Sequence, residues 1–404
     1  MASIVTRKNS FAVVYMTTVN GVRKQKWETY HTLPEAVRRK EQLELYHDLR
    51  KTKKIGGEVE TVAQMMSVYL RLHGVPHWSP STYQSNRGLI QHYILPCMGD
   101  MRLSELSPRT VAVLYSQMLE EPRISSPYHK QGGQKLSPTT LRSIHKVLHS
   151  AFEQAVLWEY VDRNPFHRAP LPACRPKQKV FLTPEQIKQL VLHCPPTLAL
   201  AIHLTFAASL RKGELLALAW QDIDFSRNTL RIDKTLARIG RDAVNQVNKR
   251  EILHRFPPVG NRQRTALVLK QPKTESSVRT VYLPPSLMAL LKQSRPASWE
   301  TGELRSPHLI FAYPDGRPMQ ECTLTKQFQQ ALKAAGLPRV TFHSLRYSSI
   351  SYKLSLSGGD IKAVQRDSGH AQADMITELY GQVLEQNRWD LVERFEEVFY
   401  CADE

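Results

Sequence analysis

The chain has 404 residues, of which 41% are hydrophobic and 23% charged, an ordinary globular composition that excludes a fibre or a disordered polyelectrolyte. Its 55 Lys and Arg outnumber 37 Asp and Glu, giving a net charge of +18, so the implied partner is a polyanion: nucleic acid or an anionic membrane surface. The longest apolar stretch, Leu198–Leu210, contains His203 and falls short of the ~20 residues a spanning helix needs. Phe11–Met16 is too short for a secretory signal. Cys97, Cys174, Cys194, Cys322 and Cys401 are scattered, with no C-x-x-C pair, and read as reduced cytosolic thiols rather than a disulfide framework or a zinc site.

Residues 1–54 read as a small unit of three strands, Ser3–Arg7, Phe11–Val19 and Lys26–Thr32, followed by a helix opening at Leu33-Pro34-Glu35. Asn20-Gly21 between the second and third strands is a hairpin signal, because both residues tolerate positive φ. This unit carries twelve Lys and Arg against five Asp and Glu; the surplus fits either a solvated sheet or one that reads a DNA groove. Lys51–Gly57 is a polar linker.

From Val59 to about Phe166 the pattern is helical throughout. Val62, Met65, Met66, Tyr69 and Leu70 recur at three- and four-residue spacing, as do Val111, Leu114, Tyr115 and Met118. Ser79-Pro80, Ser107-Pro108 and Ser137-Pro138 each set a capping residue before a first-turn proline, which makes the segment an all-helical bundle. Glu121–Lys135, rich in Ser, Pro and Gly, is a surface excursion, and Asn164–Lys179 is a proline-extended second linker.

An α+β unit follows, over about 178–404. Thr183-Pro184-Glu185 starts a helix, Leu198–Leu210 is a buried one, and Leu324–Ala335 is helical. Thr229–Ile232, Ala266–Lys270 and Thr280–Leu283 read as strands. Lys234–Arg279 holds eleven basic residues against three acidic ones. Its insertion, roughly Arg238–Thr265, reads equally as a phosphate-tracking element or a disordered loop. At the end, Glu385–Glu404 is acidic, with Trp389, Val392, Phe395 and Phe399 on one helical face that packs either on its own domain or on a neighbouring subunit.

Polar residues with chemical potential lie at the ends of this unit's apolar elements. They are Arg211 and Glu214 in Ser209-Leu-Arg-Lys-Gly-Glu214, Lys273 in the turn Gln271–Thr280, and His343 and Arg346 three apart on one helix face. His370 follows in Ser368-Gly-His370, and Tyr380 comes ten residues later. Singly, each has a structural explanation; the ordered set Arg, Lys, His-x-x-Arg, Gly-His, Tyr carries the weight.

That set resembles the tyrosine recombinase (phage integrase) family. Arg211 in S-L-R-K-G-E-L, Lys273 in P-K-T-x-x-S-x-R, the His343/Arg346 box, His370 and the nucleophile Tyr380 match its motifs. Ser368 stands where the family usually has Leu, and Ser344 where it usually has Asp, and neither change removes a catalytic group. The resemblance implies an arm-type DNA-binding domain at 1–54, a helical core-binding (SAM-like) domain at 58–166 and a catalytic domain with a C-terminal helix at 178–404. It implies an integrase of the temperate-phage or conjugative-transposon kind, bacterial, cytoplasmic and nucleoid-associated. Such an enzyme acts as a homotetramer on double-stranded DNA at core and arm sites, with excisionase and DNA-bending host factors as possible partners. Arg211 and Arg346 would clamp the phosphate, Lys273 would protonate the leaving hydroxyl, and His343 and His370 would move protons or donate hydrogen bonds. Glu214 would orient Arg211 or His343. No metal-ligand spacing accompanies these residues, so neither metal nor cofactor is expected. A type IB topoisomerase shares the same residue logic, and a DNA-binding regulator could keep the architecture without the chemistry. Should Tyr380 not be the nucleophile, Tyr352 or Tyr400 come next.

Overall fold

A computed structural model of the chain describes residues 3–7, 10–19, 22–37, 39–41, 43, 59–120, 135–174, 180–246, 251–258, 264–272, 274–296 and 308–369, together with the single positions 392 and 396. These fall into two compact units, 1–78 with 85–174 and 79–84 with 175–404. The expected Lys51–Gly57 linker, the Glu121–Lys135 excursion up to residue 134 and the C-terminal helix lie outside the described residues, apart from 392 and 396.

In the first unit, β1 (Ser3–Arg7), β2 (Ser10–Val19) and β3 (Val22–Tyr30) form an antiparallel sheet in that order. β3 starts at Val22 rather than Lys26, because Val19 pairs with Val22 and the ladder continues without a break to Phe11 opposite Tyr30. Asn20 and Gly21 lie outside the described residues. Helix α1, described at 33–37, 39–41 and 43, sets Ala36 against Val13 and Tyr15 of the central strand. Glu28 ties sheet to helix, accepting from Tyr15 Oη at 2.7 Å, Tyr30 Oη at 3.0 Å and Arg39 Nε at 2.8 Å.

The helical part follows the apolar stripes. α2 (Val62–Tyr69) begins at a Thr61 capping box and runs through a π turn, Leu70–Gly74, into α3 (Val75–His77). α4 (Pro80–Leu89) likewise passes through Ile90–Ile94 into α5 (Leu95–Met98). Each π turn lies just before a proline, Pro76 or Pro96, which lacks an N–H and crowds the carbonyl four residues back; the wider turn absorbs that clash. α6 (Pro108–Glu120) and α7 (Pro138–Leu157) complete the set. Ser107 and Ser137 cap them through the amides of Thr110 and Thr140. Val62, Met65, Leu114, Leu141, Ile144, Leu148 and Phe152 make their core.

The segment after α7 is not the extended linker its prolines suggested. Phe166 is fully buried, 4.9 Å from the Phe152 ring, and the Pro172 carbonyl accepts from Arg142 Nη2 at 2.8 Å. One aromatic anchor outweighs the extended preference of its neighbours.

In the second unit, α8 (Pro184–Leu192) starts at a Thr183 capping box. α9 (Pro196–Ala208) is apolar on most of its surface, with His203 exposed, and is packed about by α8, α10 (Lys212–Ala217), α12 (Pro285–Ser294), α13 (Glu321–Ala334) and α14 (Ser344–Leu356). α11 (Arg241–Gln246) and α15 (Ile361–Ser368) are the remaining α-helices among the described residues. β4 (Ile223–Asp224), β5 (Thr229–Ile232) and β9 (Arg279–Tyr282) form one sheet in the order β4-β5-β9. β6 (Thr235–Gly240), β7 (Ile252–Arg255) and β8 (Thr265–Lys270) form another in the order β6-β8-β7.

This second sheet shows that the described positions of the 238–265 insertion are ordered rather than a loose loop, without testing whether they track phosphates. They are folded as β6, α11 and β7. It also sets the strands on either side of the turn expected to carry Lys273 in different sheets. β8 is paired on both edges by β6 and β7, so it does not pair with β9, and the described residues 271, 272 and 274–278 lie between the two sheets. The fold class is the expected one: a small sheet with a helix, an all-α bundle and an α+β unit. No described helix is long and apolar enough to cross a membrane.

Candidate active site

The junction of α9 and α10 builds the centre of the site. α9 ends at Ser209, whose φ of 49° puts a non-glycine residue in the left-handed region and turns the chain sharply toward Arg211. Hydrogen bonds hold that conformation: Ser209 Oγ lies 2.7 Å from Ser349 Oγ and accepts from Lys353 Nζ at 3.1 Å. Arg211 is the N-cap of α10, and Glu214 folds back on it. The Arg211 amide donates to Glu214 Oε2 at 3.0 Å, and Arg211 Nη1 donates to Oε1 at 2.7 Å. α10 can approach β6 this closely because position 213 is glycine; a Cβ there would lie 3.0 Å from the Leu236 carbonyl oxygen.

Three arginines converge on Glu214. Besides Arg211, Arg279 Nη2 donates to Oε2 at 3.0 Å, and Arg346 Nη1 lies 3.9 Å from the same oxygen. Burial pushes the Glu214 carboxyl up, but Arg279 and Arg211 outweigh it and hold the group below the ordinary glutamate range. Glu214 is therefore an anion that positions cations, not a proton donor.

Arg346 is completely buried, donating from Nη2 to the Ser368 carbonyl at 2.7 Å and from Nη1 to the Ser209 carbonyl. Burial, with Arg211 next, pushes it down to about 9, so it stays charged at neutral pH. The Arg211 side chain is 37% exposed and donates from Nη2 to the Gly369 carbonyl at 3.0 Å. The two guanidiniums are thus unequal: Arg211 faces solvent, and Arg346 lies beneath the surface.

His343 is the N-cap of α14, one turn before Arg346, with its ring against Tyr347 at 4.8 Å. Burial lowers its pKa to about 4, helped by Arg346 and Arg211, so the imidazole is neutral at pH 7. A neutral imidazole here can accept a proton. α15 ends at Gly369, with φ of 66°, where a Cβ would come within 2.9 Å of Arg279 Nη1. Glycine is needed there twice, for the turn and for that approach. The chain continues directly to His370.

Of the expected residues, Arg211, Glu214, His343 and Arg346 come together, whereas Lys273, His370 and Tyr380 lie outside the described residues. Tyr352, the reserve nucleophile, stacks on Phe206 at 5.8 Å in a packing contact. Sequence reasoning missed Arg279, buried and bonded to Glu214 and to the Asp367 carbonyl at 2.9 Å. Its only signal was the last arginine of the P-K-T-x-x-S-x-R run. It also missed Lys353, which bonds the Ala207 carbonyl at 2.6 Å and the Asp367 carboxylate.

Comparison with known families bears on the family and the fold. The phage integrase family matches residues 180–387, just over half of the chain. The chain belongs to that family. A phage integrase N-terminal SAM-like domain matches residues 61–119 of this integrase-family chain. A tyrosine recombinase XerC-like protein of Caldanaerobacter subterraneus is 26% identical over 79% of this chain and 78% of its own length. The ICEBs1 integrase of Bacillus subtilis is 24% identical over 92% of this chain and 93% of its own. Among solved structures, the Tn1549 transposon integrase in complex with a circular intermediate DNA aligns with a TM-score of 0.61 at 19% identity, covering 79% of this chain and 94% of that one. A lambda integrase tetramer bound to a Holliday junction aligns with a TM-score of 0.54 at 17% identity, covering 93% and 94%. These two likenesses establish the fold. Fold and family together support site-specific recombination as the general activity.

Proposed function

We propose that the chain cleaves and rejoins DNA at specific sites through a 3′-phosphotyrosine on Tyr380, integrating or excising a mobile element. The observation that carries this reading is the cluster of Arg211, Arg279 and Arg346 about one buried carboxylate, with neutral His343 beside it. Three guanidiniums against Glu214 leave a net charge of +2 in a partly dry site, which suits a phosphodiester gaining negative charge as it is attacked.

In this mechanism the Tyr380 oxygen attacks phosphorus, and the bond from phosphorus to the 5′ oxygen breaks. The phenol proton passes to a neutral base, for which His343 or His370 is suited, and Lys273 protonates the departing 5′-hydroxyl. The phosphodiester energy stays in the protein–DNA bond, so another strand's 5′-hydroxyl can reverse the step without ATP. Arg211, the exposed guanidinium, makes first contact with the phosphate, and Glu214 and Arg279 hold it in place.

By analogy with the DNA-bound relatives, the partner is double-stranded DNA and the active form a tetramer. The N-terminal sheet would engage arm sites, and direction would be set by excisionase and DNA-bending host factors. The working compartment is the bacterial cytoplasm, at the nucleoid.

A suicide substrate nicked near the cleavage site, taken from the element's own end, tests the chemistry. Incubated in EDTA and run on a denaturing gel, wild type should form a covalent protein–DNA adduct and Tyr380→Phe none. An adduct from Tyr380→Phe, or none from wild type bound tightly to the same DNA, overturns the assignment.

A further inference from the structure

Far in sequence from the arginine cluster, the first unit holds a different constellation. His149 and Glu153 lie one turn apart on α7, and the docked segment that follows brings His167 to them. One donor atom from each lies within 4.8 Å of the other two; among the described residues no other three His, Cys, Asp or Glu side chains converge this way. His149 Nε2 is 3.7 Å from Glu153 Oε1, and the His149 and His167 rings face each other at 5.8 Å with 29° between planes.

Three features make this more than a chance grouping. First, the backbone that presents His167 is fixed: its neighbour Phe166 is buried in the bundle core, and the Phe166 amide bonds Asn164 Oδ1 at 2.9 Å. Second, Asn164 Nδ2 donates to Glu153 Oε1 at 2.7 Å and to the His149 carbonyl at 3.0 Å. That is the orienting hydrogen bond that metal-binding carboxylates ordinarily have, and it leaves Oε2 for a ligand. Third, the two rings are uncommitted, unlike three other imidazoles among the described residues. His145 pairs with Tyr115 Oη, and His77 and His193 bond carbonyls of their own helices, whereas the His149 and His167 rings have only each other, Glu153 and the His145 ring.

We propose that His149, Glu153 and His167 form a zinc site, with water in the fourth position. Two imidazoles and a carboxylate are a donor set zinc accepts, at metal–ligand distances of about 2.0–2.2 Å. Tetrahedral closure needs donor atoms about 3.3 Å apart, which side-chain rotation of these half-exposed groups reaches from their present spacing. Arg163 and Arg168 line the same groove and repel cations, so affinity must come from coordination bonds rather than from the local field. The site should therefore select zinc, or cobalt in its place, over magnesium. Bound metal would staple the segment around 164–167 to α7, independently of any DNA chemistry.

The test uses the full chain. Equilibrium dialysis against zinc should show one more bound ion in wild type than in His167→Ala or in the isosteric Glu153→Gln, with His77→Ala matching wild type. Asn164→Ala should weaken that ion by about 10–100-fold, as loss of an orienting partner does. Cobalt should give a visible absorption band lost in His167→Ala, and zinc but not magnesium should slow hydrogen exchange at 164–168. Equal zinc stoichiometry in wild type and His167→Ala, or equal protection by magnesium, overturns the proposal.

Discussion

Arg279 should be the arginine whose loss is most informative, because it joins two elements that the site needs together. Its Nη2 reaches Glu214 at the start of α10, and its Nε reaches the Asp367 carbonyl at the end of α15. Both side chains of the ion pair are only 5% exposed, so solvent cannot replace either partner. Removing one partner of a buried pair costs about 3–5 kcal/mol. Glu214 keeps Arg211 at 2.7 Å, which places Arg279→Met at the lower end, about 3 kcal/mol. At 1.36 kcal/mol per decade that is roughly a hundredfold. A chain of two units has no single unfolding free energy, so native-state hydrogen exchange of the α10 and α15 amides is the suitable assay. Both sets should exchange about a hundredfold faster in Arg279→Met. Arg279→Lys should fall between, since one ammonium cannot span the carboxylate and the carbonyl. Unchanged or slower exchange in Arg279→Met would refute the reasoning, because it would mean that repulsion among the three guanidiniums exceeds the attraction of Glu214.

Two pH effects follow from the same electrostatics. His343 takes a proton near 6.5 when unfolded and only near 4 when folded, so the unfolded chain binds more protons between those values. Its contribution is fully present above about pH 6.5 and is lost as pH falls toward 4; an NMR titration of the His343 ring in DNA-free protein should show no midpoint above about 5, and one near 6.5 would contradict the buried geometry. In the N-terminal sheet, burial pushes Glu28 up, but bonds from Arg39 and Tyr15 outweigh it and bring it down to about 2 from 4.5. That stabilisation, up to about 3 kcal/mol, is present above pH 4.5 and lost as pH falls toward 2. Glu28→Gln should flatten the acid dependence of hydrogen exchange in β2 and β3, and an unaltered dependence would show that Glu28 is not its source.

Much of this was written in local pattern. The apolar stripes and the Ser-Pro starts announced the bundle because capping and helical periodicity act within four residues. Arg211 and Glu214 were legible as a pair for the same reason, being three apart at a helix start. Arg279 was not, because its partner Glu214 is 65 residues away and an isolated arginine in a strand gives no hint of burial. β6 and β7 were hidden likewise: each is short, and both exist by pairing with β8 rather than by their own preference. The docking of residues 164–172 rested on one phenylalanine among prolines, a tertiary choice that overrides local stiffness.

How the fold holds three like charges around one carboxylate has an answer in its helix ends. The last carbonyls of a helix have no partner within it and carry the negative end of the helix dipole. α9 ends at Ser209, whose carbonyl accepts from Arg346. α15 ends with Asp367, Ser368 and Gly369, whose carbonyls accept from Arg279, Arg346 and Arg211 respectively. Two helix C-termini therefore aim at the cluster, and each guanidinium satisfies a carbonyl that would otherwise be orphaned. The left-handed turns at Ser209 and Gly369 are what expose those carbonyls, so the backbone at both positions serves charge placement as much as chain reversal. Glu214 neutralises one charge outright, and the helix ends offset part of the rest without cancelling it. What remains is a positive cluster fixed by backbone rather than by mobile side chains; in the proposed reaction, that would leave little reorganisation for the moment of attack.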